Sequence, residues 1–158
     1  MSSNALLRAG LIGAATGARS ATGLAAFTLC APADARGRPE HALGTTTAKV
    51  TTSLAALGEL VADKLPVTPS RTTPGPLIGR LVIAAGLGVL VLRRGQVEDT
   101  PAAPAATAAG LAAAAATGEL LLGVRWRAWA ADRFGTDLVG ALVEDGFAVA
   151  ASWLAVRD

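Results

Sequence analysis

The chain has 158 residues, 52% of them hydrophobic and only 16% charged, with a net charge of +2, whereas an average soluble domain carries about a quarter of its residues charged. Alanine and glycine supply much of the apolar content and tyrosine is absent, so helices must meet backbone to backbone, as they do in lipid; a soluble Ala-rich bundle is the lesser alternative. No basic run interleaved with aromatics points to nucleic acid; the single Cys30 excludes an internal disulfide or a Cys-based metal site, and the single His41 argues against a zinc site or a Ser-His-Asp triad. The expected fold is therefore all-α: one integral membrane domain over residues 1–158, a polytopic transmembrane helical bundle of about five spans.

Residues 5–30 form the first apolar segment. Ala31-Pro32-Ala33 and Ala33-Asp34-Ala35 resemble signal-peptidase sites, but the run exceeds a typical h-region and is interrupted by Thr16, Arg19, Ser20 and Thr22. A lipoprotein box fails because Leu29, not a small residue, precedes Cys30. The segment reads as a transmembrane helix that breaks or weakens over Thr16–Ser20. Gly13 and Gly17 form a GxxxG, a pattern suited to close helix contact. Arg19 sits well inside the apolar run, where a charge costs ~2.5–3.5 kcal/mol on insertion scales; it requires a carboxylate or backbone carbonyls as partner.

Residues 31–47 read as a polar, irregular loop containing His41. The second segment starts near Lys49 and is short for a span unless Thr45–Thr52 are included. Glu59 and Asp63 stand at i and i+4, on one helix face, followed by Lys64. Pro66 disfavours helix at the residue before it. Pro66–Pro76 reads as a stiff non-helical connector, either interfacial or re-entrant; re-entry is permitted only where protein or water satisfies the backbone. The third segment, Leu77–Leu92, carries Arg80 near its start and ends at Arg93 and Arg94. Arg71 and Arg80 are placed nearer an interface than the other charges. The fourth segment, Ala105–Val124, is Ala-rich and contains Glu119; Arg125, Trp126, Arg127 and Trp129 follow as an interface anchor. After a turn at Asp132–Asp137, the last segment, Leu138–Val156, carries Glu144 and Asp145.

The two halves, 1–94 and 95–158, echo each other weakly. Ala9-Gly10-Leu11 leads to Thr16-Gly17 as Ala109-Gly110-Leu111 leads to Thr117-Gly118. Gly17-Ala18-Arg19 also parallels Gly123-Val124-Arg125. Insertion of the halves in opposite orientation would make an inverted repeat of the kind transporters use. The loop arginines and lysines divide evenly between the two sides, so the positive-inside rule selects no orientation, and a dual topology or an antiparallel homodimer is consistent with them.

Gly17-x-Arg19-Ser20, Glu59-x3-Asp63-Lys64-Leu65-Pro66-x2-Pro69-Ser70-Arg71-Thr72-x-Pro74, Gly79-Arg80 and Glu144-Asp145 together resemble a bacterial family of small integral membrane proteins classed only as a domain of unknown function. The resemblance covers nearly the whole chain. It implies a multi-span α-helical membrane protein and implies no activity; the expected location is the cytoplasmic (inner) membrane. A looser likeness is to cation exchangers that carry a Glu-x-Gly-Asp-Lys motif in duplicated, inverted halves. Here the spacing is Glu59-x3-Asp63-Lys64, and the second half has adjacent Glu144-Asp145 with no lysine.

Ionisable residues within a membrane are costly and by default mark a functional site. The candidate ligand- or ion-binding residues are Arg19, Glu59, Asp63, Lys64, Arg71, Arg80, Glu119, Glu144 and Asp145. The bland alternative is that they pair with one another and set helix register. The leading functional expectation is a small transporter or channel-like protein for a cation, a proton-coupled solute or an anionic lipid. The carboxylates would take the cation or proton, and the arginines an anionic group. The alternatives are a structural protein that packs its Ala/Gly surfaces against a partner in the bilayer or a second copy, and, last, a lipid-acting enzyme in which paired acids hold Mg²⁺ against a phosphate. No cofactor signature and no catalytic motif is present, and the pattern names no metal.

Overall fold

The computed structural model describes residues 2–32, 38–62, 73–94 and 100–157, and every regular element among them is a helix. In chain order these are α1 (Ser3–Ala18), α2 (Ser20–Cys30), α3 (Arg38–Gly44), α4 (Thr46–Ala62), α5 (Pro74–Arg93), α6 (Ala102–Phe134) and α7 (Leu138–Val156). Three of them, α5, α6 and α7, are long and apolar enough to cross a membrane, which makes the molecule a helical membrane protein.

The first apolar segment departs from the expected single span. Arg19 is in extended conformation, with φ −143° and ψ 107°, and closes α1 while opening α2. The chain then folds back on itself. A Cβ on Gly23 of α2 would lie 2.6 Å from the Thr16 hydroxyl and 3.6 Å from the Ile12 Cδ1 of α1, separations that a continuous helix rising 1.5 Å per residue cannot give. Residues 3–30 thus form a helical hairpin with its tip at Arg19-Ser20, not a kinked span. Leu87 of α5 packs against Gly23 and shares a buried cluster with Ile12, Phe27, Val91 and Val156.

The small residues of α1 decide its packing. A Cβ on Gly17 would lie 2.5 Å from the Ala116 carbonyl oxygen, and one on Gly13 would overlap the backbone of Ala112. Ala9 and Ala108 meet one turn further along. Ala108, Ala112 and Ala116 form the buried i, i+4 stripe of α6 and lie along the row of Ala9, Gly13 and Gly17, ridge to groove. Gly88 of α5 approaches the same stripe, a Cβ there lying 2.7 Å from the Ala108 oxygen. The GxxxG pattern is therefore used within the chain. The register also bears on the repeat: α1 and α6, whose sequences echo each other, run in the same direction, so they do not form an inverted pair. The second echo fails locally too, since the chain breaks at Arg19 but continues as helix through Arg125.

Other boundaries move for identifiable reasons. Pro74 and Pro76 sit in the first turn of α5, where a missing N–H costs nothing, so this end of the proline-rich stretch is helical; Pro66–Thr72 lies outside the described residues, and its expected re-entry with it. Residues 38–44, expected as loop, form the short helix α3. Helix α6 does not stop at Val124 but runs 33 residues to Phe134, about 50 Å against a hydrocarbon core of about 30 Å. Gly135, with φ 68° in the left-handed region, ends it.

Both ends of α7 carry aromatic and cationic groups. At its start, Trp126 stacks on Trp129 with centroids 5.1 Å apart and donates its indole N–H to the Gly140 carbonyl at 3.1 Å. Arg127 pairs with Asp137 beside them. At its end the Arg157 guanidinium lies 4.7 Å over the Trp153 ring. From Gly140 to Arg157 is about 25 Å of helix, close to the hydrocarbon thickness, so the two clusters have the spacing expected of interfacial belts. Arg94, at the end of α5, donates to the terminal carbonyls of α2 and α7, at Cys30 (2.7 Å) and Val156, and so ties three helix ends to one level.

Gly17→Leu is expected to break this bundle from within. Overpacking of a tight contact costs about 1–3 kcal/mol or more, so the monomer should unfold at lower temperature in detergent. An equally stable Gly17→Leu protein would contradict the packing described.

Candidate functional site: a charged cluster at the hairpin tip

A helix break inside an apolar bundle leaves unsatisfied carbonyls at the end of one helix and unsatisfied amides at the start of the next. Here the carbonyls point to arginines and the amides to a carboxylate. Arg80 of α5 is 7% exposed and donates Nη1–H to the Gly17 carbonyl at 2.5 Å. The Arg19 Nη1 lies 3.4 Å from the Ala18 oxygen. On the other side, Glu59 of α4 accepts from the amides of Ser20 (3.0 Å) and Ala21 (2.7 Å) and from the Ser20 hydroxyl at 2.8 Å. Residue Arg19, at the N-cap position of α2, makes no side-chain cap bond itself. The cap is thus supplied from another helix, and cations sit at the helix C-terminus and the anion at the N-terminus, as the helix dipole favours.

The tip is also a double ion pair. Arg19 is fully buried, and its Nε donates to the Asp145 carboxylate of α7 at 2.6 Å. The Arg80 Nη2 lies 3.3 Å from the Glu59 carboxylate. Arg19 at the break, Glu59 of α4, Arg80 of α5 and Asp145 of α7 therefore meet as two ion pairs. Their depth follows from the helices that carry them. Arg80 is about 9 Å along the axis from Pro74, and Asp145 about 10 Å from Leu138. The tip lies well inside the apolar bundle.

Beside the tip, α6 and α7 enclose a cleft of about 260 Å³ lined by Glu119, Leu122, Gly123, Trp126, Val143, Glu144 and Phe147. Glu144 is 3% exposed. A Cβ on Gly123 would stand 3.2 Å from a Glu144 carboxylate oxygen and 3.9 Å from one of Glu119. The absence of a side chain at Gly123 is what lets the two carboxylates converge on one wall of the cleft. Arg127 lies on the far side of Glu144, Nη1 to Oε2 3.9 Å. Among the described residues no group of three or more His, Cys, Asp or Glu side chains converges as a metal centre.

Of the residues singled out from sequence, Arg19, Glu59, Arg80 and Asp145 come together at the tip, and Glu119 and Glu144 at the cleft. Arg80 is a correction: it is buried at the tip and not interfacial, because α5 begins at Pro74 and carries it inward. Asp63, Lys64 and Arg71 lie outside the described residues. Sequence reasoning missed Ser20 as a ligand of Glu59. It also missed Arg127 as the partner of both Asp137 and Glu144. The serine was legible as the small polar residue after the break; Arg127 was read only as an interface anchor.

No family model matches this chain, and no curated protein or solved structure matches it.

Removing one partner of a buried pair strands the other. Arg19→Leu is expected to cost about 3–5 kcal/mol, measured by SDS-induced unfolding in mixed micelles. Arg19→Leu combined with Asp145→Leu should cost less than the sum of the two single changes. Additivity of the two would show that the pair is not coupled.

Proposed function

We propose that this chain is a small transporter or channel-like protein of the cytoplasmic membrane that handles a cation or a proton-coupled solute. The observation that carries the reading is the convergence of Glu119 and Glu144 on Gly123, in a cleft next to the hairpin tip. Two carboxylates on one wall of an apolar cleft supply oxygen donors that a cation can bind. The aromatic wall at Trp126 and Phe147 adds a surface on which a weakly hydrated cation gains from ring faces. The arginines favour the same sign of substrate. Arg19 is held by Asp145, and Arg80 by Gly17 and Glu59, so both are engaged by protein groups, while carboxylates are the charged groups lining the cleft.

The hairpin fits this role physically. Irregular backbone at membrane depth is tolerated where protein satisfies it or where it lines a cavity, and transporters place ion sites at such breaks. The assembly reading loses its main sequence support, because Gly13 and Gly17 pack against α6 of the same chain.

The test is flux in proteoliposomes. Wild type should release protons on addition of a hydrophobic monovalent cation, or carry the cation down an imposed pH gradient. Glu144→Gln and Glu119→Gln should each lower the rate by about tenfold or more, a loss of ~1.4 kcal/mol or more in site energy. Flux of an anion with both variants at wild-type rate would overturn the cation reading.

A further inference from the structure

Helix α4 is held to the rest of the chain unlike the others. Ala56 is its one buried residue, and it packs mainly along α2, with α3 at its start. The stripe Val50, Leu54, Leu57 and Val61 faces outward. Polar contacts pin it to the hairpin at two levels among the described residues. Near its start the hydroxyls of Thr28 and Thr52 meet at 2.6 Å. Near its end Glu59 takes the two first amides of α2, the Ser20 hydroxyl and an Arg80 N–H. With so little buried apolar area, directional polar contacts must supply much of the attachment. Those at the tip also perform the cap that α2 lacks locally.

We propose that α4 is a gate helix, latched over the hairpin tip by the Glu59 carboxylate and hinged near the Thr28–Thr52 contact. With the latch made, α4 covers Ser20, Ala21 and the guanidinium of Arg80. With it broken, the end of α4 swings away and the start of α2 opens to whatever can replace a carboxylate there, such as water or a small anion. Such a motion is a hinge of one element about a few terminal residues. The latch is a property of the fold. It stands or falls independently of the cation reading, since it predicts a structural change in a protein carrying no substrate.

The experiment uses the full-length chain in nanodiscs, with Cys30→Ser to remove the native thiol. Nitroxide labels on Val61→Cys of α4 and Thr117→Cys of α6, both at exposed positions, report the distance between the gate and the fixed bundle by pulsed electron spin resonance. With Glu59 present the distribution should be single and narrow. With Glu59→Gln it should broaden and lengthen by about 5 Å or more, one helical pitch, whereas Glu59→Asp should retain a fraction of the closed distance. An unchanged distribution in a folded Glu59→Gln protein overturns the proposal. If Glu59→Gln lowers folded yield, a Thr28→Cys/Thr52→Cys disulfide is added in the same background. Recovery of folded protein with the labelled distance still lengthened supports a latch. Failure to recover shows that Glu59 serves only to cap α2, and that also overturns the proposal.

Discussion

The buried ion pairs of this bundle depend on one backbone event, the extended residue Arg19 between two helices. In water such a break would be hydrated. Inside an apolar bundle its orphan carbonyls and amides each carry a penalty of several kcal/mol unless protein partners are found. The chain meets that demand with charge. Arg80 and Arg19 reach carbonyls at the end of α1, and Glu59 receives amides at the start of α2. Each charge then requires a counter-charge, so Asp145 follows from Arg19, and the Arg80–Glu59 pair completes the set.

The hairpin can reach this depth only because its surroundings are thin. Glycine on α1 and α5 and alanine on α6 let backbones approach to distances at which a methyl group would overlap. Without hydrophobic contrast against lipid, such close van der Waals packing is the main attraction between membrane helices. The low aromatic content of the chain has the same origin. Its three tryptophans are placed at the ends of α6 and α7, where an amphipathic ring gains from an interface.

Two faces of the tip differ in character. Towards α6 and α7 it adjoins the cleft whose carboxylates converge over Gly123. Towards α4 it is covered by a helix with little buried surface. A buried charge set thus lies between the cleft on one side and a helix held largely by polar contacts on the other. The Arg19–Asp145 pair links them, since Asp145 follows the cleft residue Glu144 in sequence and Arg19 precedes Ser20, the ligand of Glu59.

The sequence alone determined the solvent and the class of fold. Low charge, long apolar runs and an Ala/Gly surface admit helices in lipid and little else. It marked the break at Arg19, because an arginine among threonine, glycine and serine cannot sit comfortably in an apolar span, and it showed the ends of α7, bounded by a polar turn and Arg157. What it could not show was direction. A polar interruption reads the same whether the chain continues across the membrane or turns back, because hydropathy is local and the turn is decided by what packs against it: Leu87 and Ile12 at Gly23, and Arg94 at the far end. For the same reason Arg80 read as interfacial, and the glycine pair announced a close helix contact without naming its partner helix. Partner choice among charges many residues apart, Arg19 with Asp145 or Ser20 with Glu59, is decided by tertiary structure, since it depends on which helix ends meet at one depth.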